Sequence, residues 1–221
     1  MARFSGIPVQ AFEFYDALAA DNSKGFWTAH KGDYDAYVKE PMIALLDELS
    51  GEFGEGRMFR PYNDVRFSKD KRPYKEHQGG YVPTEDAIGY YVQIGADGLM
   101  VAGGWWNGSS LQVGRYRDAV DSAAGVVLER ALETAAKGGL TLGGDVMKTR
   151  PRGIAEDHPR LELLRHRTVT VERHDGTPAW LGTRKALTHV QKTWRTMTPL
   201  VEWLTDHVGP ADEGIPQEPD R

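Results

Sequence analysis

A chain of 221 residues, 40% hydrophobic and 27% charged, is long and apolar enough to bury a core and is not the composition of a disordered polymer. Its net charge of −5 argues against nucleic-acid binding by the whole surface. The absence of cysteine excludes disulfides, thiolate metal ligands and cysteine nucleophiles, and no apolar run reaches the length of a membrane span.

The opening MARFSGIPVQAFEF has no apolar signal region or cleavage pattern, so a cytoplasmic, membrane-free protein is the expectation. Val9, Phe12, Tyr15, Leu18 and Ala19 recur at helical spacing behind Pro8, and Asp21-Asn22-Ser23 break that helix and offer a new cap. A second helical region follows, with Phe26, Trp27, Tyr34, Tyr37 and Val38 expected inward. Pro41 is expected to start a third helix, with Ile43, Leu46, Leu49 and Phe53 on its inner face.

Residues 51–56 read as a loop and 57–62 as a short strand. Residues 89–95 and 98–102 are two β-rich runs around Ala-Asp-Gly, a hairpin signal. Beyond Gly103-Gly104-Trp105-Trp106-Asn107-Gly108, one long helix is expected over 110–137, striped by Leu111, Tyr116, Val120, Val127, Leu128, Ala131 and Ala135. The glycine-rich turn before it is neither a Walker loop nor a dinucleotide fingerprint. It reads as a tight turn with Trp105 or Trp106 in the core and Asn107 or Ser109 as the cap.

A strand is expected over 140–148, a loop over 151–159 and a short helix over 160–166 capped by Asp157. Thr168–Glu172 alternates as a strand closed by Asp175-Gly176, and a last helix over 183–207 carries Leu187, Val190, Trp194, Met197, Leu200, Val201 and Leu204. Without regular βαβ alternation, these elements predict an α+β fold: a small, mainly antiparallel sheet with helices packed on it and a long C-terminal helix. One domain over 1–208 is expected, followed by a disordered acidic and proline-bearing tail over 209–221.

The candidate site is RPYNDVRFSKDKRPYK, residues 60–75. Six cations, Arg60, Arg66, Lys69, Lys71, Arg72 and Lys75, stand against Asp64 and Asp70, a local +4 that leaves −9 for the rest of the chain. Grouping like charges costs repulsion unless an anion or buried carboxylates offset it. In extended backbone Asp64 and Arg66 project to one side and can pair, while Phe67 faces the other way and can anchor the segment.

The pattern Arg60-x-x-Asn63-Asp64-x-Arg66-Phe67-x-x-x-Lys71-x-x-Tyr74 resembles the signature Arg-x-x-Arg-Asp-x-Arg-Phe-x-x-x-Lys-x-x-Tyr of the domain of unknown function 2461 family, with Asn63 at the second Arg. Asp21-Asn22 with Phe26-Trp27, the Gly103-Gly104 turn, and Met147–Gly153 with Asp157-His158-Pro159 are similar to that family too, so the resemblance spans nearly the whole chain. It implies no activity.

Three readings of the stretch stay open. It can be an ion network that fixes the loop, with Asp64 bridging Arg60 and Arg66. It can recognise a small phosphate or carboxylate, with or without turnover, through Arg60, Asn63 and Lys69. An enzymatic version would place Asp64 as base, Tyr74 as proton donor, and Arg66, Lys71 and Arg60 against developing charge. It can bind nucleic acid with Tyr62 and Tyr74 stacking on bases, which the acidic remainder disfavours.

Arg150, Arg152 and His158 form a second basic group, expected either as a solvated loop or as a partner of the first cluster around one anion. The seven histidines show no metal-ligand spacing and no serine-hydrolase elbow occurs, so no metal and no cofactor are expected.

Overall fold

The computed structural model describes residues 3–66 and 69–211. Helix α1 spans Val9–Ala20 and ends at Asp21. Ser23 then caps α2, Lys24–Asp33, by accepting from the Phe26 amide. From there the backbone stays helical into α3, Glu40–Phe53, through a π-helical stretch, Tyr34–Lys39. Pro41 sits in the first turn of α3, where the sequence places it, although the backbone reaches it without a break. A proline has no N–H to give and its ring crowds the carbonyl four residues back; the wider π turn before it relieves both demands without breaking the rod.

The helical faces follow the expected pattern except at their margins. Trp27, Tyr34, Val38, Leu46 and Leu49 are buried, joined by Phe14, Met42 and Leu45, while Val9, Tyr37 and Ile43 are exposed.

The sheet is antiparallel and six-stranded: β1 Arg57–Met58, β2 His77–Glu85, β3 Ile88–Gly95, β4 Gly98–Trp105, β5 Thr141–Gly143 and β6 Val169–Gly176, in the order β1-β2-β3-β4-β6-β5. The β3–β4 hairpin turns where Ala-Asp-Gly predicts, with Gly98 at φ +98°. Strand β2 was not legible, because HQGGYVPTE holds two glycines and a proline, which usually depress strand formation. Packing explains the glycines: a Cβ on Gly79 would strike the Tyr91 ring, and one on Gly80 would lie 2.7 Å from Leu46 Cδ1.

The chain divides into two compact units, residues 1–82, 91–102 and 173–194 in one, and 83–90, 103–172 and 195–221 in the other. In the first, α3 lays Leu46 over Gly56 and Gly80, and the indole of Trp194 donates to the Tyr91 carbonyl at 3.2 Å. Arg184 and Glu48 form a two-point ion pair, and both bond to the backbone of Phe4, which secures the N-terminal segment.

In the second unit the expected single helix over 110–137 is two, α4 Ser110–Asp121 and α5 Ala124–Lys137. Ser122 leaves the helical region, and its hydroxyl accepts from the Ala124 amide, ending one helix and starting the next. The interruption shifts the phase of the stripe. Tyr116, Val120, Leu128, Ala131 and Ala135 stay buried, whereas Leu111 and Val127 turn outward. Ser109 caps α4 in a reciprocal capping box with Gln112, and Trp105 is fully buried behind it.

Strand β5 is only Thr141–Gly143, continued by an isolated bridge from Val146 to His166, rather than a strand to residue 148. The short helix α6, Leu161–Leu164, starts after Arg160 with no side-chain cap, so Asp157 does not cap it. Strand β6 runs on through Asp175-Gly176 instead of closing at Glu172. Helix α7, Lys185–His207, buries every residue its stripe named and tolerates Pro199 in its interior. Past it, Arg115 donates to the carbonyls of Val208 and Pro210, and Gln112 to that of Gly209. The tail expected to be disordered lies, from residue 212 on, outside the described residues. Among the described residues no helix is long and apolar enough to cross a membrane, and no group of three or more acidic or histidine side chains is placed to hold a metal.

Candidate functional site

Residues 60–75 lie in the first unit as an excursion between β1 and β2 that closes on itself. An antiparallel bridge pairs Tyr62 with Tyr74. It is flanked by hydrogen bonds from the Asn63 amide to the Pro73 carbonyl, 2.9 Å, and from the Lys75 amide to the Pro61 carbonyl, 2.8 Å. The Asn63 side chain adds donations to the carbonyls of Arg72 and Tyr74. Asn63 thus serves as a loop staple in this structure.

A second clamp comes from the turn between α1 and α2. Asn22 Nδ2 donates to the Tyr74 carbonyl and Asn22 Oδ1 accepts from the Tyr74 amide, each at 3.0 Å. One turn on, Trp27 stacks on Tyr74 with ring centroids 4.3 Å apart and planes inclined by 8°. Tyr62 leans on both rings, at 5.8 Å from Trp27 and 5.5 Å from Tyr74. The indole N–H of Trp27 is buried without a partner among the described residues, a deficit costing about 1–3 kcal/mol in general. Of the Asp21-Asn22 and Phe26-Trp27 segments that resembled the family, Asn22 and Trp27 are thus supports of the loop.

The charges sit on the other side of this division of labour. Arg66 embraces Asp64 through Nε at 2.9 Å and Nη2 at 2.6 Å, with the two side chains 72% and 53% exposed. The guanidinium hydrogen bonds hold the Asp64 carboxyl down to about 2. Arg72 binds Asp70 in the same way and also reaches Glu76, at 2.6 Å; its hydrogen bonds hold Asp70 down to about 2. Lys71 donates to the Val65 carbonyl across the loop, at 2.9 Å. Lys75 lies over the Phe59 ring, 5.3 Å from its centroid. Arg60 and Lys69 are exposed and have no ion-pair partner among the described residues. The anchoring role expected of Phe67 lies outside the described residues.

These placements bear on chemistry. Asp64, as a carboxylate locked to Arg66 with a strongly depressed pKa, is a poor proton acceptor at neutral pH. Tyr74 is 6% exposed under Trp27, and burial raises its pKa, which suits a packing role better than proton transfer to a solvent-borne substrate.

The second basic group lies in the other unit and has local partners. Arg150 donates to the Ile154 carbonyl at 2.6 Å, while Arg152 is exposed. His158 accepts the Arg160 amide on Nδ1, so its neutral tautomer carries the proton on Nε2, 2.9 Å from Asp121. Arg160 in turn binds Glu129 and the carbonyls of Val120 and Ser122, which ties the α4–α5 break to the segment before α6.

A cysteine-free α+β protein with a stapled, cationic loop on an antiparallel sheet is the class that fold and geometry define. Residues 10–203 match the family described as conserved hypothetical protein DUF2461, and the chain belongs to that family. Comparison with curated proteins and with solved structures returns no match.

Proposed function

We propose that the protein recognises a small phosphorylated or carboxylated anion with the exposed cations of the 60–75 loop, chiefly Arg60, Arg66, Lys69 and Lys71. One observation carries this reading: the neck of the loop is closed by neutral groups, while the cations sit on its exposed part. Asn22, Asn63, Trp27 and the Tyr62–Tyr74 bridge fix the neck. The Asp64–Arg66 and Asp70–Arg72 pairs are exposed and formed between residues two apart, an arrangement that solvent screening leaves with little effect on stability. An anion can compete with Asp64 for Arg66 at little cost, and bidentate guanidinium binding rewards phosphate or carboxylate.

The test is calorimetric titration and thermal melting with inorganic phosphate and citrate at low ionic strength. The wild-type chain is expected to bind and to melt higher with either anion. The Arg60→Ala/Lys69→Ala double variant should melt as wild type without ligand and lose the ligand-dependent rise. A double variant that melts many degrees lower without ligand would hand the charges back to a structural ion network. Binding equal to wild type would remove the loop as the site. Retention on heparin with affinity falling steeply in salt would favour nucleic acid instead.

A further inference from the structure

We infer that the anion taken by this loop carries a planar ring, and that Tyr62 is the residue on which the ring stacks; a mononucleotide is the ligand class that fits. The inference rests on the anion reading above and names its ligand class.

Tyr62 and Tyr74 form a non-hydrogen-bonded pair, since the flanking bonds join Asn63 to Pro73 and Lys75 to Pro61. In such a pair the two side chains share one face and approach closely. Their surroundings nevertheless differ. Tyr74 is 6% exposed beneath Trp27, whereas Tyr62 is 50% exposed. The Tyr62 ring is inclined by 50° to Tyr74 and 57° to Trp27, so two rings back it while half its surface stays open. The neck already closes through Asn22, Asn63 and the Trp27–Tyr74 stack. An open, firmly backed aromatic amid charges is the form of a stacking platform.

The cations are placed to complete it. In extended backbone, residues two apart share a face about 7 Å apart along the strand. On the Asn63 side of the bridge this places Asp64 on the face of Tyr62, and Asp64 carries Arg66 with it through their ion pair, while Arg60 lies across a bend at Pro61. A ring lying on Tyr62 would turn to the Arg66 guanidinium for the phosphate one sugar away. Single-strand binding surfaces repeat such platforms along a groove. Here the neighbouring rings, Tyr74 and Trp27, are buried, so one base can be accommodated.

The experiment compares AMP, adenosine, ribose 5-phosphate, inorganic phosphate and a short oligonucleotide by titration calorimetry against the wild type, Tyr62→Ala, Tyr62→Leu and Tyr62→Phe, each checked by thermal melting. AMP should bind about ten-fold or more tighter than ribose 5-phosphate. Tyr62→Ala and Tyr62→Leu should erase that difference while leaving ribose 5-phosphate binding intact, and Tyr62→Phe should keep it. Equal affinity for AMP and ribose 5-phosphate would overturn the inference and leave the anion reading standing. No binding by any phosphate would overturn both. An oligonucleotide binding ten-fold tighter than AMP would replace the mononucleotide with single-stranded nucleic acid.

Discussion

Asn22 and Tyr74, 52 residues apart, exchange two hydrogen bonds through one side-chain amide: Nδ2 gives to the Tyr74 carbonyl and Oδ1 takes from the Tyr74 amide. The amide thereby acts like an extra strand residue against the neck of the basic loop. In Asn22→Ala the Tyr74 carbonyl keeps its bond from Asn63, but the Tyr74 N–H loses its partner in a part-buried position. The expected cost is about 1–3 kcal/mol. Thermal melting reads the loss, and limited trypsin digestion should become faster at Arg66, Lys69 and Lys71 as the neck opens more often. A variant with wild-type melting and wild-type digestion would refute the clamp.

Trp27 and Asp64 should behave as opposites. Trp27 is 4% exposed and touches Phe14, Tyr34, Tyr62 and Tyr74, so Trp27→Ala is expected to cost about 3–5 kcal/mol. Asp64→Asn removes an exposed, solvent-screened pair and should unfold close to wild type. Denaturant unfolding of both variants decides the matter, and a costlier Asp64→Asn would show that the charges, not the rings, hold the loop.

The same contrast explains what the sequence could and could not reveal. Long apolar periods survive tertiary context, which is why the face of α7 from Leu187 to Leu204 is buried as read. The Asp64–Arg66 pairing was legible because it needs only a period of two. Strand β2 was not, because its glycines answer to Leu46 and Tyr91, side chains distant in sequence. The break at Ser122 was hidden for a different reason: Ser and Ala are both acceptable within a helix, and only the hydroxyl's bond to the Ala124 amide reveals a cap. Asn22 read as a helix breaker, and its grip on Tyr74 has no local signature at all.

Gly80 offers a test of that non-local reading of β2. A Cβ there would sit 2.7 Å from Leu46 Cδ1 and 3.3 Å from Leu46 Cδ2, both on a side chain that is 4% exposed. Gly80→Ala should destabilise by about 1–3 kcal/mol through overpacking. Leu46→Ala alone should also destabilise, by leaving a cavity. Combined, the two should cost less than their sum, because truncating Leu46 makes room for the new methyl. Additive costs in the double-mutant cycle would mean that the glycine is not set by Leu46.

Glu48 ties acid stability to the N-terminal segment. The hydrogen bonds from Arg184 chiefly, with help from the Phe4 amide, lower its pKa from 4.5 to about 2. A carboxyl depressed in the folded state binds its proton more readily when unfolded. Its contribution is therefore complete above the unfolded value near 4.5 and is lost as pH falls towards 2. The Glu48 side chain is 25% exposed and Arg184 is 40% exposed, so solvent screening keeps the contribution of the pair small. Asp64 and Asp70 are depressed in the same direction, so the wild type and any single variant both lose stability in acid. The informative quantity is the difference between wild type and Glu48→Gln. That difference should hold steady from pH 7 to pH 5 and shrink between pH 4.5 and pH 2 in urea unfolding followed by circular dichroism. A gap that stays constant to pH 2 would show that Glu48 is held by shape and not by its charge.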